Sequence, residues 1–172
     1  LEMGVVDDRA DHVRRLDPGL TAGADHELRV GDAVAAVRLR VPRAARLGAL
    51  ARLAPQVGSI AINANSDIER YAAFGMPVLR DVTPGFAGPL AGLEAGLRAC
   101  RTEYMLTAPC DSPFLPDELA KRLSEALIEQ GADIAVAVTQ EGKRRQPHPV
   151  FCLVRTALLP YLEAYLLDGG RK

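Results

Sequence analysis

The chain has 172 residues, of which 48% are hydrophobic and 25% charged, so it can form one globular domain with a substantial core. Its net charge of −1 provides no basic footprint for nucleic acid or an anionic membrane, and no apolar stretch could span a bilayer. Three widely spaced cysteines match neither a disulfide framework nor a zinc cluster, and the start lacks a signal-peptide pattern. We therefore expect a cytoplasmic protein that binds neither nucleic acid nor membrane.

Residues 1–42 differ in composition from the rest of the chain. They contain no aromatic residue and no lysine, and Arg, Asp, Ala, Val and Gly dominate. Residues 29–41 carry β-branched side chains with some alternation, which suggests a hairpin or an edge strand. Four potential metal ligands also occur here: Asp7, Asp8, Asp11 and His12. A solvated charged segment is favoured over a metal site because nothing fixes their geometry. We expect this segment to be poorly ordered or loosely packed.

From residue 43 onwards, helical periodicity alternates with short apolar runs. Apolar stripes predict helices over 43–54, 67–74, 89–100, 116–130 and 156–167. Apolar runs predict strands near 57–62, 77–80, 103–108, 133–139 and 149–154, with a polar loop over 140–146. This alternation predicts a three-layer α/β/α sandwich with a mostly parallel, Rossmann-like sheet.

An acidic residue in a proline-rich turn stands out after the strand near 103–108. Residues 106–116 contain three prolines and one acid, Asp111. Ligands of open α/β sheets bind beyond the carboxyl ends of the strands. A single carboxylate there suits Mg²⁺, which takes one or two protein carboxylates together with substrate phosphates. A helix-capping Asp in a proline turn is the alternative.

Two other strands are also followed by polar side chains. Asn63 and Asn65 come at the end of the strand near 57–62, and Asp81 follows the next strand. The two amides could hydrogen-bond a sugar or a base, or they could close a turn and cap the following helix. With Asp111, these side chains would meet at one edge of the sheet, as a nucleotide site requires.

Two glycines and a histidine complete the candidate residues. Gly88 and Gly92 lie four apart at the start of a predicted helix, where glycines let a ligand or a backbone approach closely. As a phosphate motif this is weak, and tight helix–strand packing is the favoured explanation of both glycines. His148 lies between two prolines at the predicted start of the last strand, where it could contact a ligand or serve structure alone.

Five segments of the chain occur in an order that resembles a known family. They are INAN at 62–65, VLRD at 78–81, PGFAGPLAG at 84–92, PCDSPFLP at 109–116 and HP at 148–149. Together they resemble the molybdenum cofactor guanylyltransferase family, among the Rossmann-like nucleotidyltransferases, over residues 43–172. The resemblance implies transfer of GMP from GTP to the molybdopterin-bound cofactor, with release of pyrophosphate.

The resemblance also implies roles for individual residues. Asn63 and Asp81 would contact the nucleotide, and Gly88 and Gly92 would shape the loop beneath it. Asp111 would be the catalytic residue and would hold Mg²⁺ beside the phosphates. The basic residues 143–145, with His148, would lie toward the pterin substrate. GTP and the molybdopterin cofactor would be the partners, and molybdoenzymes or their chaperones are further candidates.

The sequence departs from this family at both ends. The family opens with a strand, a Leu-Ala-Gly-Gly turn, an Arg-Met-Gly segment and an Asp-Lys pair, and it ends with an Asn-x-Asn-Thr-Pro segment. This chain has no Gly-Gly before Gly169 and no lysine before Lys121. We therefore expect an atypical segment over 1–42, which a shifted reading frame would explain, a nucleotidyltransferase-like domain over 43–172, and a truncated C-terminus.

Three functions remain open at this point. The first is that of an active guanylyltransferase. The second is that of a catalytically impaired remnant that at most binds a nucleotide or a partner. The third function is that of a related transferase acting on CTP or a sugar phosphate.

Overall fold

The structure is a computed structural model that describes residues 3–4, 32–36, 43–83 and 88–170. These residues form helices α1 (Arg43–Leu53), α2 (Ile68–Ala72), α3 (Pro89–Ala99), α4 (Leu119–Gln130) and α5 (Leu159–Leu167). They also form strands β1 (Met3–Gly4), β2 (Asp32–Ala36), β3 (Ser59–Asn63), β4 (Val78–Leu79), β5 (Tyr104–Pro109), β6 (Ile134–Glu141) and β7 (Arg144–Arg155). The five predicted helices are confirmed, with ends that shift by one to three residues.

All seven described strands belong to one sheet with the order β1-β6-β7-β5-β2-β3-β4. Strands β5, β2, β3 and β4 pair in parallel, as predicted for a Rossmann-like sheet. Strands β7, β6 and β1 extend that sheet by antiparallel pairing. The predicted α/β fold class is confirmed, and antiparallel strands are confined to the side of the sheet beyond β5.

Alternating side chains of β5 divide the core into two layers. Tyr104, Leu106 and Ala108 point to one face and pack with α1 and α4. Met105 points to the other face and packs with α3 and α5. The period of two along a strand therefore gives this central strand two buried faces, each covered by helices. This confirms the three-layer arrangement.

Helix α4 follows its sequence pattern closely. Leu119, Leu123 and Leu127 form its buried stripe. The helix ends at Gly131, whose φ of 57° lies in the left-handed region that glycine adopts without a steric cost. The helix begins three residues after Pro116, because an isolated turn from Pro116 O to Leu119 N precedes it.

Strand β2 is an interior strand, so the expectation of a hairpin or edge strand over 29–41 is wrong for Asp32–Ala36. Each of its five residues is paired with β3 on one side and with β5 on the other. Without β2, the facing backbone groups of β3 and β5 would lack partners. The other residues of the 1–42 segment, apart from Met3–Gly4, lie outside the described residues. The four potential metal ligands are among these residues, and so are most of the residues that are expected to pack loosely.

The predicted polar loop over 140–146 is wrong, because β6 and β7 continue through it as a hairpin. Gln140 pairs with Arg145 and Glu141 with Arg144, which leaves a two-residue turn at Gly142 and Lys143. Gly142 has a φ of 59°, which suits a tight hairpin turn. Strand β7 therefore begins at Arg144 rather than near residue 149.

No helix within the described residues is long and apolar enough to cross a lipid bilayer.

Shortening a buried side chain on the central strand β5 should strongly lower the stability of the fold. Leu106 on β5 is fully buried, so Leu106→Ala should lower the free energy of unfolding by about 2–5 kcal/mol, as expected for a large-to-small core change. Leu167→Ala serves as the control because Leu167 is 86% exposed, and it should change stability by less than about 0.5 kcal/mol. Urea unfolding followed by circular dichroism measures both, and equal effects would contradict the core assignment.

Candidate nucleotide site

The parallel strands end at the same level of the sheet. In the register, Ala36 of β2 lies opposite both Pro109 of β5 and Asn63 of β3, and Asn63 in turn lies opposite Leu79 of β4. At about 4.8 Å between neighbouring strands, this row spans about 14 Å. Asp111 comes two residues after Pro109, Asn65 comes two residues after Asn63, and Asp81 comes two residues after Leu79. The register therefore brings the predicted polar residues to one carboxyl edge.

Asp81 is held by two asparagine side chains from the neighbouring strand and its loop. Asn63 Nδ2 donates a hydrogen bond to Asp81 Oδ1 at 2.9 Å, and Asn65 Nδ2 donates one to Asp81 Oδ2 at 2.6 Å. The backbone N–H of Asp81 donates to Asn65 Oδ1 at 2.9 Å. Both amides therefore orient a carboxylate. They do not cap α2, whose N-cap residue is Asp67.

Gly92 lets helix α3 approach this cluster. A Cβ atom at Gly92 would lie 2.5 Å from Asn63 Oδ1, closer than real Cβ contacts allow. Asn63 itself is buried, with 9% of its surface exposed. The packing interpretation of Gly92 is thus supported, and the neighbour it accommodates is one of the predicted nucleotide contacts.

Gly88 directly precedes α3 and has a φ of 74° and a ψ of −151°. Few residues other than glycine adopt this conformation, so the chain depends on Gly88 to enter the helix at this angle. Residues 84–87 of the predicted loop lie outside the described residues.

Asp111 lies in an exposed turn after β5. Among the residues that the structure describes, no group donates a hydrogen bond to its carboxylate or forms an ion pair with it. The N-cap residue of the following helix, α4, is Glu118, so the helix-capping interpretation of Asp111 is wrong. Asp111 is therefore a carboxylate at the carboxyl edge without a partner in the described part of the chain.

The single carboxylate of Asp111 at this edge suits a hard divalent cation whose other ligands are water and substrate phosphates. Within the described ranges, no group of three or more His, Cys, Asp or Glu side chains could hold a metal ion. Mg²⁺ normally needs only one or two protein carboxylates, because water and substrate phosphates complete its octahedral shell. An exposed single carboxylate such as Asp111 satisfies that requirement.

A small apolar gap lies beneath this turn. It has a volume of about 10 Å³ and is lined by α1 together with Ala108, Pro109, Cys110 and Leu115. This is room for about one water molecule at most. The gap belongs to the core, and the candidate site is the open edge above it.

The β6–β7 hairpin forms a wall on one flank of that edge. Val136 of β6 and Thr107 of β5 both pair with Cys152, so Val138 lies level with the end of β5. Strand β6 then continues for three more residues, which carries the hairpin about 10 Å beyond the edge. The exposed tip has three basic residues: Lys143, Arg144 and Arg145. We call residues 139–146 the basic arm.

His148 is engaged within the hairpin. Its Nε2 lies 2.9 Å from Thr139 Oγ1, and its ring meets Phe151 edge-on with 6.4 Å between centroids. Residues 149–151 bulge out of the β6–β7 register, and Thr107 Oγ1 donates a hydrogen bond to Val150 O at 3.1 Å within this bulge. These contacts favour a structural role for His148, and its predicted approach to the pterin stays a prediction.

Two shifted pKa values belong to core residues. Burial raises the pKa of the Cys152 thiol to about 11, and a hydrogen bond with Thr107 opposes this effect only partly. Burial also raises the pKa of Tyr104, with a smaller contribution from the hydrogen bond to Glu103. Both groups stay uncharged near neutral pH, which suits their packing around β5.

A family model described as a MobA-like NTP transferase domain matches residues 45–172. The chain belongs to this family. The resemblance to molybdenum cofactor guanylyltransferases is thereby confirmed, although the roles of individual residues in the MobA-like domain stay predictions.

Two curated relatives of this MobA-like domain carry the same name. The molybdenum cofactor guanylyltransferase of Ralstonia nicotianae is 58% identical, over 72% of this chain and 63% of the relative. That of Cupriavidus necator is 56% identical, over 70% of this chain and 61% of the relative. The chain therefore spans just over three fifths of the length of these relatives.

Solved structures support the fold of the MobA-like domain. Molybdopterin-guanine dinucleotide biosynthesis protein A from Archaeoglobus fulgidus superposes with a TM-score of 0.59 and 20% identity, over 81% of this chain and 75% of that one. The 2-C-methyl-D-erythritol 4-phosphate cytidylyltransferase from Thermus thermophilus gives 0.63 and 20%, over 84% and 79%. At these identities the likeness shows a shared fold.

The structure of the MobA-like domain adds one buried acid that the sequence reasoning missed. Glu94 of α3 is only 2% exposed and accepts a hydrogen bond from Thr83, two residues after Asp81. A signal was present in the sequence, because Glu94 lies between Ala91 and Ala95 on the buried side of the helix and four residues before Arg98.

The close contact at Gly92 makes a sharp prediction. A Gly→Ala change in a helix normally stabilises it by about 0.5–1 kcal/mol, but Gly92→Ala should destabilise the domain by about 1–3 kcal/mol because the new Cβ displaces the Asn63 side chain. Asn63→Ala removes the obstacle, so Gly92→Ala should cost much less in that background. Urea unfolding of the two single variants and the double variant measures this coupling, and strict additivity would contradict it.

Proposed function

We propose that this domain transfers GMP from GTP to the molybdopterin-bound cofactor. A phosphate oxygen of the acceptor attacks the α-phosphorus of GTP, the bond from that phosphorus to the bridging oxygen breaks, and pyrophosphate leaves. One observation carries the proposal. An oriented carboxylate, Asp81, shares the carboxyl edge with Asp111, a carboxylate that has no partner among the described residues. Over 70–72% of its length the chain is more than half identical to proteins named for this activity.

Asp81 is suited to bind the nucleoside. Each of its oxygens accepts one amide hydrogen bond and keeps lone pairs for another donor. Ribose hydroxyls and the N–H groups of guanine are such donors. Because Asn63 and Asn65 fix the carboxylate beforehand, little freedom is lost when the nucleotide binds.

Asp111 would hold Mg²⁺ against the phosphates. The ion would neutralise charge that develops on the transferring and leaving phosphoryl groups. The protein's own part is to keep an exposed carboxylate in a proline-rich turn at the edge that the nucleotide would occupy.

The basic arm is suited to the acceptor. It rises beside Asp111, on the side of the sheet away from Asp81, and its tip carries three positive charges. Among the described residues, Lys143 and Arg144 have no ion-pair partner. The positive charge of the tip would attract the phosphate of a second substrate.

A second candidate function is a nucleotide-binding module without turnover. The sequence has no Gly-Gly before Gly169 and no lysine before Lys121, whereas the family it resembles places a glycine-rich turn and a lysine near its start. Positioned cations and backbone donors supply much of the rate enhancement in phosphoryl transfer. Binding of GTP without release of pyrophosphate would support this second candidate.

Two further expectations belong to this proposal. The reaction would take place in the reducing cytoplasm, where the thiols of Cys100, Cys110 and Cys152 would remain reduced. Molybdoenzymes or their chaperones would receive the finished cofactor.

Calorimetric titration of GTP with Mg²⁺ tests the site directly. Asp111→Ala should weaken binding about tenfold or more in Mg²⁺, because the only protein charge assigned to the ion is removed. Without Mg²⁺, wild type and Asp111→Ala should bind GTP with similar affinity. A pyrophosphate-release assay with the molybdopterin cofactor then separates transferase from binding module.

Asp117→Ala is the matched control, because Asp117 is an exposed acid paired with Arg52 rather than left unpaired. It should leave GTP affinity unchanged. Absence of GTP binding in folded wild-type protein would overturn both candidate functions. Equal binding by wild type and Asp111→Ala in Mg²⁺ would overturn the role of Asp111.

The arm makes a separate prediction about the acceptor. Arg144→Gln should raise the KM for the molybdopterin substrate about threefold, because an exposed charge contributes at most about 1 kcal/mol. The affinity for GTP should not change. Arg101→Gln removes one exposed charge at the opposite edge and serves as the control. Equal effects of the two variants would contradict an acceptor site on the arm.

A further inference from the structure

Glu94 is a buried acid that the reaction as described does not use. Its side chain accepts a hydrogen bond from Thr83 Oγ1 at 2.6 Å and one from Arg98 Nε at 3.2 Å. Arg98 in turn donates to Glu163 of α5 at 2.8 Å. A continuous set of polar contacts therefore joins the loop after Asp81 to two helices of the layer that covers one face of the sheet.

Packing alone gives little reason for a carboxylate at this position. Burying a charge is costly unless it is paired and hydrogen-bonded, and an apolar side chain of similar volume often replaces a buried ion pair without loss of stability. Glu94 lies on α3 between Ala91 and Ala95, where a leucine would fill the same layer. What leucine could not do is accept the hydrogen bond from Thr83.

Thr83 occupies a critical place in the chain. It lies two residues after Asp81 and is the last described residue before 84–87. On the other side, Asn63 and Asn65 hold the carboxylate, and Asn65 also accepts from the backbone of Asp81. Asp81 is therefore fixed from the side of β3 by two amides and from the side of α3 through Thr83.

We propose that Glu94 is a positioning residue for Asp81, acting through the hydroxyl of Thr83. Asp81 would bind the nucleoside part of a nucleoside triphosphate, and this part of the inference rests on the proposed function. Loss of the Thr83–Glu94 hydrogen bond frees the chain that leaves Asp81 and thereby loosens the contacts of its carboxylate with Asn63 and Asn65. The carboxylate then has to be ordered when the nucleotide binds, and affinity falls.

Thr83→Val is the decisive variant. It keeps the shape of the side chain and the Glu94–Arg98 pair but removes the donor. GTP affinity should fall about three- to tenfold, the loss expected for one hydrogen bond to a charged group acting indirectly. Thr83→Ser keeps the hydroxyl and should restore wild-type affinity. Thr102→Val removes a comparable hydroxyl at the opposite edge of the sheet, where Thr102 donates to Tyr104 O, and should have no effect.

A cycle with Asp81 distinguishes positioning from a general loss of structure. In an Asp81→Ala background, Thr83→Val should cause no further loss of GTP affinity, because its effect passes through Asp81. A further loss of the same size in that background would overturn the proposal. So would wild-type affinity in Thr83→Val itself.

Amide hydrogen exchange tests the positioning without any nucleotide. Thr83→Val and Glu94→Leu should speed exchange of the Asp81 amide, which donates to Asn65, and Thr102→Val should not. If the wild type fails to bind GTP, the proposed function fails while this measurement still decides whether Glu94 positions Asp81. Unchanged exchange in Thr83→Val would overturn the positioning role, even if Glu94→Leu fails to fold.

Discussion

The pairing of β2 with both β3 and β5 is the constraint on which the rest of the site depends. Strands β3 and β5 do not pair with each other, so their relative level is set by the backbone hydrogen bonds that each makes with β2. A slip of one residue on either side would move a strand end by about 3.3 Å and reverse the faces of its side chains. The proposed action of the Asp81 cluster and Asp111 on one ligand depends on this register.

The sequence predicted those elements whose burial follows a simple period. The leucine stripe of α4 and the stop at Gly131 were recognisable, as was the apolar run of β5. The basic arm was missed because a hairpin that leaves the core is exposed on both faces, so polar residues such as Gln140 and Gln146 show no alternation. The interior place of β2 was missed because parallel partners come from distant parts of the chain, and a short run of Ala and Val does not specify them.

For the site, the sequence could predict location but not contacts. Asn63, Asp81 and Asp111 were placed at one edge because each follows a predicted strand, and the register agrees. The hydrogen bonds from Asn63 and Asn65 to Asp81 depend on how two loops meet in space, as does the fit of Gly92 against Asn63. The partner of Glu94 lies in another loop, so its spacing to Arg98 alone could not reveal it.

The two carboxylates at this edge are made different by their neighbours rather than by their own chemistry. Asp81 already accepts a hydrogen bond on each oxygen, so entry into a metal shell would require it to reorient or to give up an amide contact. Asp111 accepts none from the described residues, which suits its proposed role as a cation ligand. A nucleoside triphosphate has hydrogen-bond donors on its base and sugar and negative charge on its phosphates. Asp81 is an oriented acceptor at one end of the edge, and Asp111 is a charge for a counter-ion nearer the centre. This arrangement matches the polarity of the nucleotide. The base and sugar would therefore lie toward Asp81 and the phosphates toward Asp111.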